Sequence, residues 1–238
     1  MSSRKPVILP NTTLATIVKD EAENIEPFCH ATLPHVRAAV IFDAGSTDGT
    51  ATELARMAYG YPHLEVYHAP QGDPVELRNA ALSRVATKRA LVLNADERVQ
   101  ETDWENIAAC LRASPDTDAW AFSFVKVYKD GSTEKPRGYQ PRLFDVGIHS
   151  FDYVDNDNSM EWLMWTRFPE RAFQVLGIPF QPEGATIFHL IPNNSVRQRG
   201  IDERYQKYAD HVAYRTGGRE LVGSAEWVAH NSRRGLGW

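Results

Sequence analysis

The chain has 238 residues, 42% of them hydrophobic and 24% charged, with a formal net charge of −5. That apolar content suffices for one large packed α/β domain or two small ones, and the acidic balance argues against a surface that coats nucleic acid generally. Two cysteines, Cys29 and Cys110, are too few to staple such a chain and lack metal-ligand spacing, so a reducing, cytoplasmic setting is expected.

In chain order, the basic start from Met1 to Pro6 leads into an apolar stretch broken by Pro10 and Asn11, which makes a poor signal peptide. No run reaches the roughly 20 apolar residues of a membrane span. The Asn-x-Ser/Thr triplets at Asn11 and Asn193 therefore read as chance matches. Leu14 to Val18 is the first strand. Asp20 to Leu33 reads as a helix with Ile25, Phe28 and Cys29 on one face and Pro34 as its stop. A second strand spans Ala38 to Phe42. The loop Gly45-Ser46-Thr47-Asp48-Gly49 opens a helix carrying Leu54, Met57 and Ala58, and its hydroxyls and Asp48 suit the free N–H groups there. Leu64 to Tyr67 is a third strand. Gly72-Asp73-Pro74 starts a helix with Leu77, Ala81, Leu82 and Val85 inward, and Leu91 to Leu93 is the next strand. This alternation predicts parallel crossover units.

Past Asp116 the pattern changes. Trp120, Phe122, Phe124, Val125, Val127 and Tyr128 form a strand-like run ended by the turn Lys129-Asp130-Gly131-Ser132, an antiparallel addition to the sheet. Asp152 to Glu161 is acidic, aromatic and loop-like. Ala185 to Ile191 is again a strand, with His189 near its end. The tail carries Ile201, Tyr205, Tyr208 and Val212 at helical spacing, a Gly217-Gly218 stop and a second helix around Leu221 to Val228.

The chemistry concentrates where apolar runs end in carboxylates. Val18 leads to Lys19-Asp20-Glu21, Phe42 to Asp43, and Leu93 to Asn94-Ala95-Asp96-Glu97. In open α/β sheets the carboxyl edge of the strands is where ligands bind, so acids delivered there by separate strands predict one polar site.

The ordered set Thr16-Ile17-Val18-Lys19-Asp20-Glu21-Ala22-Glu23-Asn24-Ile25, then Phe42-Asp43 through Thr50, then Arg78-Asn79, then Leu93-Asn94-Ala95-Asp96-Glu97 resembles the signature of family 2 glycosyltransferases. The short bacterial and phage type is similar, including the lipopolysaccharide-core glucosyltransferases. The match is strong over roughly residues 12 to 100 and runs thinly through Arg142-Leu143-Phe144 to His189. The resemblance implies a GT-A domain, a three-layer α/β/α arrangement over residues 1–195 with a mostly parallel sheet and antiparallel additions. Residues 196–238 would form a helical C-terminal extension near the acceptor side.

By the same resemblance the protein is an inverting glycosyltransferase, moving a sugar from a nucleotide-sugar donor, favoured as a UDP-sugar, to an acceptor hydroxyl. Asp43 and Glu21 would bind the nucleoside. Thr16, Val18, Arg78, Asn94 and Ala95 would line the donor, with the Arg78 guanidinium reaching the diphosphate. Asn94-Ala95-Asp96 stands where the family usually has Asp-x-Asp, so Asp96 would be the principal ligand of Mn²⁺ or Mg²⁺ and His189 the second. The general base would be Glu170, with Asp155, Asp157 and Glu161 as alternatives. The acceptor is a cell-envelope glycan, a lipid-linked acceptor, or a hydroxylated base of phage DNA facing Arg197, Arg199, Arg204 and Lys207. Two rivals stand beside this reading. One is a sugar-nucleotide pyrophosphorylase, whose glycine-rich first loop is replaced here by Lys19-Asp20-Glu21; the other is a nucleotide- or glycan-binding module without turnover.

Overall fold

The computed structural model describes residues 5–69, 73–113, 117, 119–128, 131–133, 139–147, 149–153, 161–165 and 186–191. Among them, eight strands form one sheet. Its first half is β1 (Thr12–Val18), β2 (Ala38–Asp43), β3 (Leu64–His68) and β4 (Arg89–Leu91). These lie in the order β3-β2-β1-β4 and all run parallel. The chain builds leftwards from β1 to β3 and then returns to the other side of β1 for β4. The topological switch therefore falls between β1 and β4, where an open sheet forms a crevice at its carboxyl edge.

Strand alternation explains the two covered faces. Leu14 and Val18 of β1, with Ala39 and Ile41 of β2, join a core with α1 (Ala22–Thr32), α2 (Thr50–Gly60) and α4 (Asp103–Ala113). Ala15 of β1 and Val40 and Phe42 of β2 point the other way and meet Leu77, Ala81 and Leu82 of α3 (Pro74–Ser83). Both faces of a parallel sheet must be buried, which is why these strands read as continuous apolar runs. Phe28 and Trp104 are both 0% exposed; such a side chain stabilises the fold by about 2–3 kcal/mol through burial alone.

The second half is antiparallel and mixed. β7 (Tyr139–Asp145) pairs antiparallel with β4 and with β6 (Ala119–Tyr128). β10 (Thr186–Ile191) runs parallel to β6 and antiparallel to β5 (Glu97–Val99), which closes the far edge. β8 (His149–Tyr153) and β9 (Glu161–Trp165) form a separate two-stranded ribbon.

Several expectations are corrected. Helix α1 begins at Ala22, not Asp20, because Asp20 adopts φ 53°, a left-handed conformation outside any right-handed helix. Pro34 stops that helix by opening a short 3₁₀ turn, Leu33–His35. The strand expected at Leu91 to Leu93 pairs from Arg89 to Leu91, and Val92 continues by donating to the Arg142 carbonyl at 2.7 Å. Asp152 and Glu161, expected in a loop, are in strands β8 and β9. Helix α4 was not anticipated from the sequence, nor were β5, the β8–β9 ribbon and the extent of β7. The two tail helices expected after residue 196 lie outside the described residues.

Candidate functional site

The carboxyl ends of β1 and β2 are tied together by a lattice of side chain to backbone bonds. Asp43, 3% exposed, stands opposite Val18 in the sheet register. Its Oδ1 accepts from the Ser46 backbone N–H at 2.9 Å and from the Ser46 hydroxyl at 2.6 Å. The Ser46 oxygen in turn accepts from Asp20 N at 2.9 Å, and Asp20 Oδ1 accepts from Thr47 N at 2.7 Å. The aspartate at position 20 is thus used locally. It tolerates the left-handed backbone and anchors the opposite loop.

Asp48 extends the lattice to both helices. Its Oδ2 accepts from Ala22 N, at the start of α1, and its Oδ1 from the backbone N–H and hydroxyl of Thr50, at the start of α2. Thr50 Oγ1 then accepts from Glu21 N at 2.8 Å. Gly49, at φ 103°, supplies the reversal before α2. The loop hydroxyls bond within the protein, so this glycine-containing loop braces the strand ends and helix starts. Asp48→Ala is expected to destabilise the fold by about 1 kcal/mol, the usual cost of a lost cap. Burial pushes the Asp48 carboxyl up, but hydrogen bonds from Thr50 and Ala22 outweigh it and hold the pKa below its usual value. A depressed carboxylate stabilises above its unfolded pKa and loses that contribution as pH falls through its folded one. Urea midpoints of Asp48→Ala and the parent chain should therefore converge under acid conditions and separate near neutrality.

Asp43 behaves in the same direction. Burial raises its pKa, and hydrogen bonds from Ser46 and His68 more than offset that, holding it ionised. His68, the last residue of β3, stands opposite Asp43 in register and places Nδ1 3.2 Å from Asp43 Oδ2.

The other wall follows β4. Arg78 is on helix α3, whose start is set by Pro74 and by Asp73, which accepts from Val75 N and Glu76 N. Its Nη2 donates to Asn94 Oδ1 at 3.1 Å. Asn94 N and Nδ2 donate to Glu97, which is 1% exposed. Arg142 of β7 grips the same carboxylate as a fork, Nε to Oε2 at 3.1 Å and Nη2 to Oε1 at 2.8 Å. The result is a polar chain, Arg142 to Glu97 to Asn94 to Arg78, joining β7, the β4–β5 turn and α3.

Beneath that turn lies Arg98, a cation that the sequence reading missed. It donates to the carbonyls of Ala95, Glu97 and Asn24 and packs over the Phe28 ring at 5.6 Å. Burial pulls its pKa below the usual value, while the charges of Asp96 and Glu21 favour its charged form. Cys29 itself is pushed up to about 12 by burial, so its thiol stays protonated and inert.

The expected site residues divide as follows. Glu21, Asp43 and Asn94-Ala95-Asp96 follow the carboxyl ends of β1, β2 and β4, and Arg78 of α3 reaches Asn94. Glu21, 7% exposed, accepts from the Asn24 side-chain amide at 2.7 Å. Thr16 is buried and its hydroxyl donates to the Leu93 carbonyl at 2.9 Å, so it fastens β1 to the end of β4. Val18 turns its side chain into the core, and its carbonyl accepts from Ala44 N. His189 lies in β10, its backbone directly opposite Glu97 of β5. Glu170, Asp155 and Asp157 lie outside the described residues.

Oxygen donors suit a hard divalent ion. Here Arg78 engages the Asn94 oxygen, Arg142 engages Glu97, and the Asp96 charge faces Arg98. Among the described residues no three His, Cys, Asp or Glu side chains are grouped to hold a metal. A cation at Asp96 accordingly fits only if a ligand's own phosphate oxygens help to complete its shell. Among the described residues, no helix is long and apolar enough to cross a membrane.

A family model described as "Glycosyl transferase family 2" matches residues 15–197. Among solved structures, a mannosyltransferase from Pyrobaculum calidifontis, PcManGT, in complex with GDP-Man and Mn²⁺, superposes with a TM-score of 0.57 at 16% identity. That match covers 98% of this chain and 73% of the other. TarS 1-349 of S. aureus in complex with UDP gives a TM-score of 0.49 at 11% identity, covering 78% of this chain and 59% of that one. No curated protein sequence matches.

Proposed function

Since this chain belongs to glycosyl transferase family 2 and has the GT-A fold, we propose that it is an inverting, metal-dependent hexosyltransferase using a UDP-sugar donor. The observation that carries this reading is the polar carboxyl edge of the parallel strands, with Asp43 at the end of β2 and the Asn94-Ala95-Asp96 turn after β4, the latter bonded to Arg78 of α3. Asp43, ionised and braced by Ser46, accepts a hydrogen bond from the donor's base. Arg78 meets the diphosphate; its fork matches phosphate oxygens. Asp96 and His189 would hold Mn²⁺ or Mg²⁺ against that diphosphate, and the ion, when bound, offsets charge on the leaving nucleoside diphosphate.

The reaction forms a bond from the acceptor oxygen to the anomeric carbon while the bond to the diphosphate breaks on the opposite face, inverting the configuration. The acceptor's proton passes to a carboxylate, for which Glu170 and then Asp157 are our assignments. The acceptor is a glycan, a lipid-linked acceptor or a modified DNA base, met by the late loops and the 196–238 extension. A cytoplasmic setting accords with the two free thiols, Cys29 and Cys110.

The test is release of UDP from a panel of UDP-sugars, with Mn²⁺ and with excess EDTA, alongside calorimetric binding of UDP. Metal-stimulated release supports a transferase; binding with no turnover for any donor and acceptor supports the binding module instead. Asp43→Ala is expected to weaken UDP binding about tenfold or more even in EDTA, because a charge-assisted hydrogen bond is lost independently of any metal. Unchanged UDP affinity in a folded Asp43→Ala chain would remove the nucleoside role.

A further inference from the structure

We propose that Arg98 is a positioning residue of the donor site: its guanidinium fixes the Asn94–Glu97 turn against the start of α1, and so sets the spacing between the groups assigned to the nucleoside and those assigned to the diphosphate. The proposal rests on the nucleotide-sugar reading above and adds to it a residue that acts only through others.

The turn has few backbone bonds to hold its shape. Glu97 N donates to the Asn94 carbonyl at 3.0 Å and closes it, but Ala95 lies between the end of β4 and the start of β5, where no sheet ladder serves its carbonyl. Ala95 is 2% exposed. A buried carbonyl left without a donor is costly, and here the donor is the side chain of Arg98. Its Nη1 reaches the Ala95 carbonyl at 2.5 Å and the Glu97 carbonyl at 2.8 Å, so one nitrogen holds two peptide groups of the same turn.

The other nitrogen reaches a different element. Nη2 donates at 3.1 Å to the carbonyl of Asn24, 74 residues away in the first turn of α1, and the Asn24 side-chain amide in turn holds Glu21 Oε2 at 2.7 Å. In the turn itself, Asn94 Oδ1 accepts from Arg78 at 3.1 Å. One guanidinium therefore stands between Glu21, after β1, and the Asn94–Arg78 pair, after β4. It lies over the ring of Phe28, which is 0% exposed, and the charges of Asp96 and Glu21 face it. A planar fork of five N–H donors can bridge carbonyls on two elements at a fixed separation, whereas a lysine ammonium is a point charge on a flexible stem. A ligand that uses only the nucleoside end is indifferent to that separation. One that also reaches the diphosphate wall depends on it.

The test compares two ligand lengths. UDP is titrated calorimetrically, and uridine by competition with it, into the full wild-type chain, Arg98→Met and Arg98→Lys, all in EDTA so that no metal enters the readout. Melting curves establish how much of each variant is folded. Arg98→Met should bind UDP about tenfold more weakly, the loss of about one charge-assisted hydrogen bond, and uridine within about twofold of the wild type. Arg98→Lys restores the charge without the fork. It should regain most of the lost melting temperature and still bind UDP at least about fivefold more weakly than the wild type, and it carries the same comparison if Arg98→Met does not fold. A purely structural arginine would lower the folded fraction and scale both affinities alike. Equal losses for uridine and UDP, unchanged UDP affinity in a folded variant, or full recovery of UDP affinity in Arg98→Lys overturns the proposal. Failure of the wild type to bind either ligand overturns the donor reading itself, and this proposal with it.

Discussion

Asp96→Asn is expected to lower sugar transfer by at least about 100-fold while leaving the melting temperature within a degree or two of the parent. The magnitude is that of removing one preorganised charge from a site where charge develops in the transition state. Asn94 contributes a neutral amide, and the Glu97 carboxylate is held by the Arg142 fork. Negative charge facing a divalent ion would therefore fall to Asp96, which is buried, at 9% exposed, in the β4–β5 turn. Product formation against Mn²⁺ concentration, measured for both chains, checks this. Full activity of Asp96→Asn, or undiminished wild-type activity in excess EDTA, would remove the metal from the mechanism.

Arg142→Met should be the most destabilising of these substitutions, costing about 3 kcal/mol. The Arg142 side chain is 18% exposed and Glu97 2%, so removal of the guanidinium leaves a carboxylate buried without its counter-charge. The amide donors of Asn94 remain, which is why the lower end of the usual range applies. Glu97→Gln should cost less, because a neutral amide needs no counter-ion. A urea midpoint for Arg142→Met indistinguishable from the parent's would show that the pair contributes no net stability. If the pair also sets the donor wall, turnover should fall by more than the folded fraction does, since Asn94 and Arg78 lie in the same polar chain.

Asn94 illustrates why a motif and its environment have to be considered together. In the sequence it is an acid replaced by an amide, and Asn94→Asp looks like a repair. In the folded chain its Nδ2 donates to Glu97 Oε1 at 3.4 Å while its oxygen accepts from Arg78. An aspartate there would keep the Arg78 contact and set a second carboxylate against Glu97. The amide is matched to its neighbours: Glu97 lies three residues on in the same motif, but Arg78 is brought to it only by the fold.

The first half of the fold and the polar carboxyl edge of its strands were legible in the sequence for local reasons. Apolar runs covered on both faces mark parallel strands, acids at their ends mark the carboxyl edge, and Asp73-Pro74 marks a helix start; these signals need no knowledge of the rest of the chain. Helix α4 was also written locally, in Trp104, Ile107, Ala108 and Leu111 at helical spacing, all of them buried. The tertiary structure decided what pairs with what. Arg142 meets Glu97 only because β7 inserts beside β4. His189 falls opposite Glu97 only because β10 runs between β6 and β5. Asp43 finds Ser46 three residues away, but its second oxygen finds His68 from the neighbouring strand. Residue periodicity fixes which face a side chain takes, whereas sheet order and register, set by the global minimum of burial and backbone pairing, fix which charges and donors share that face.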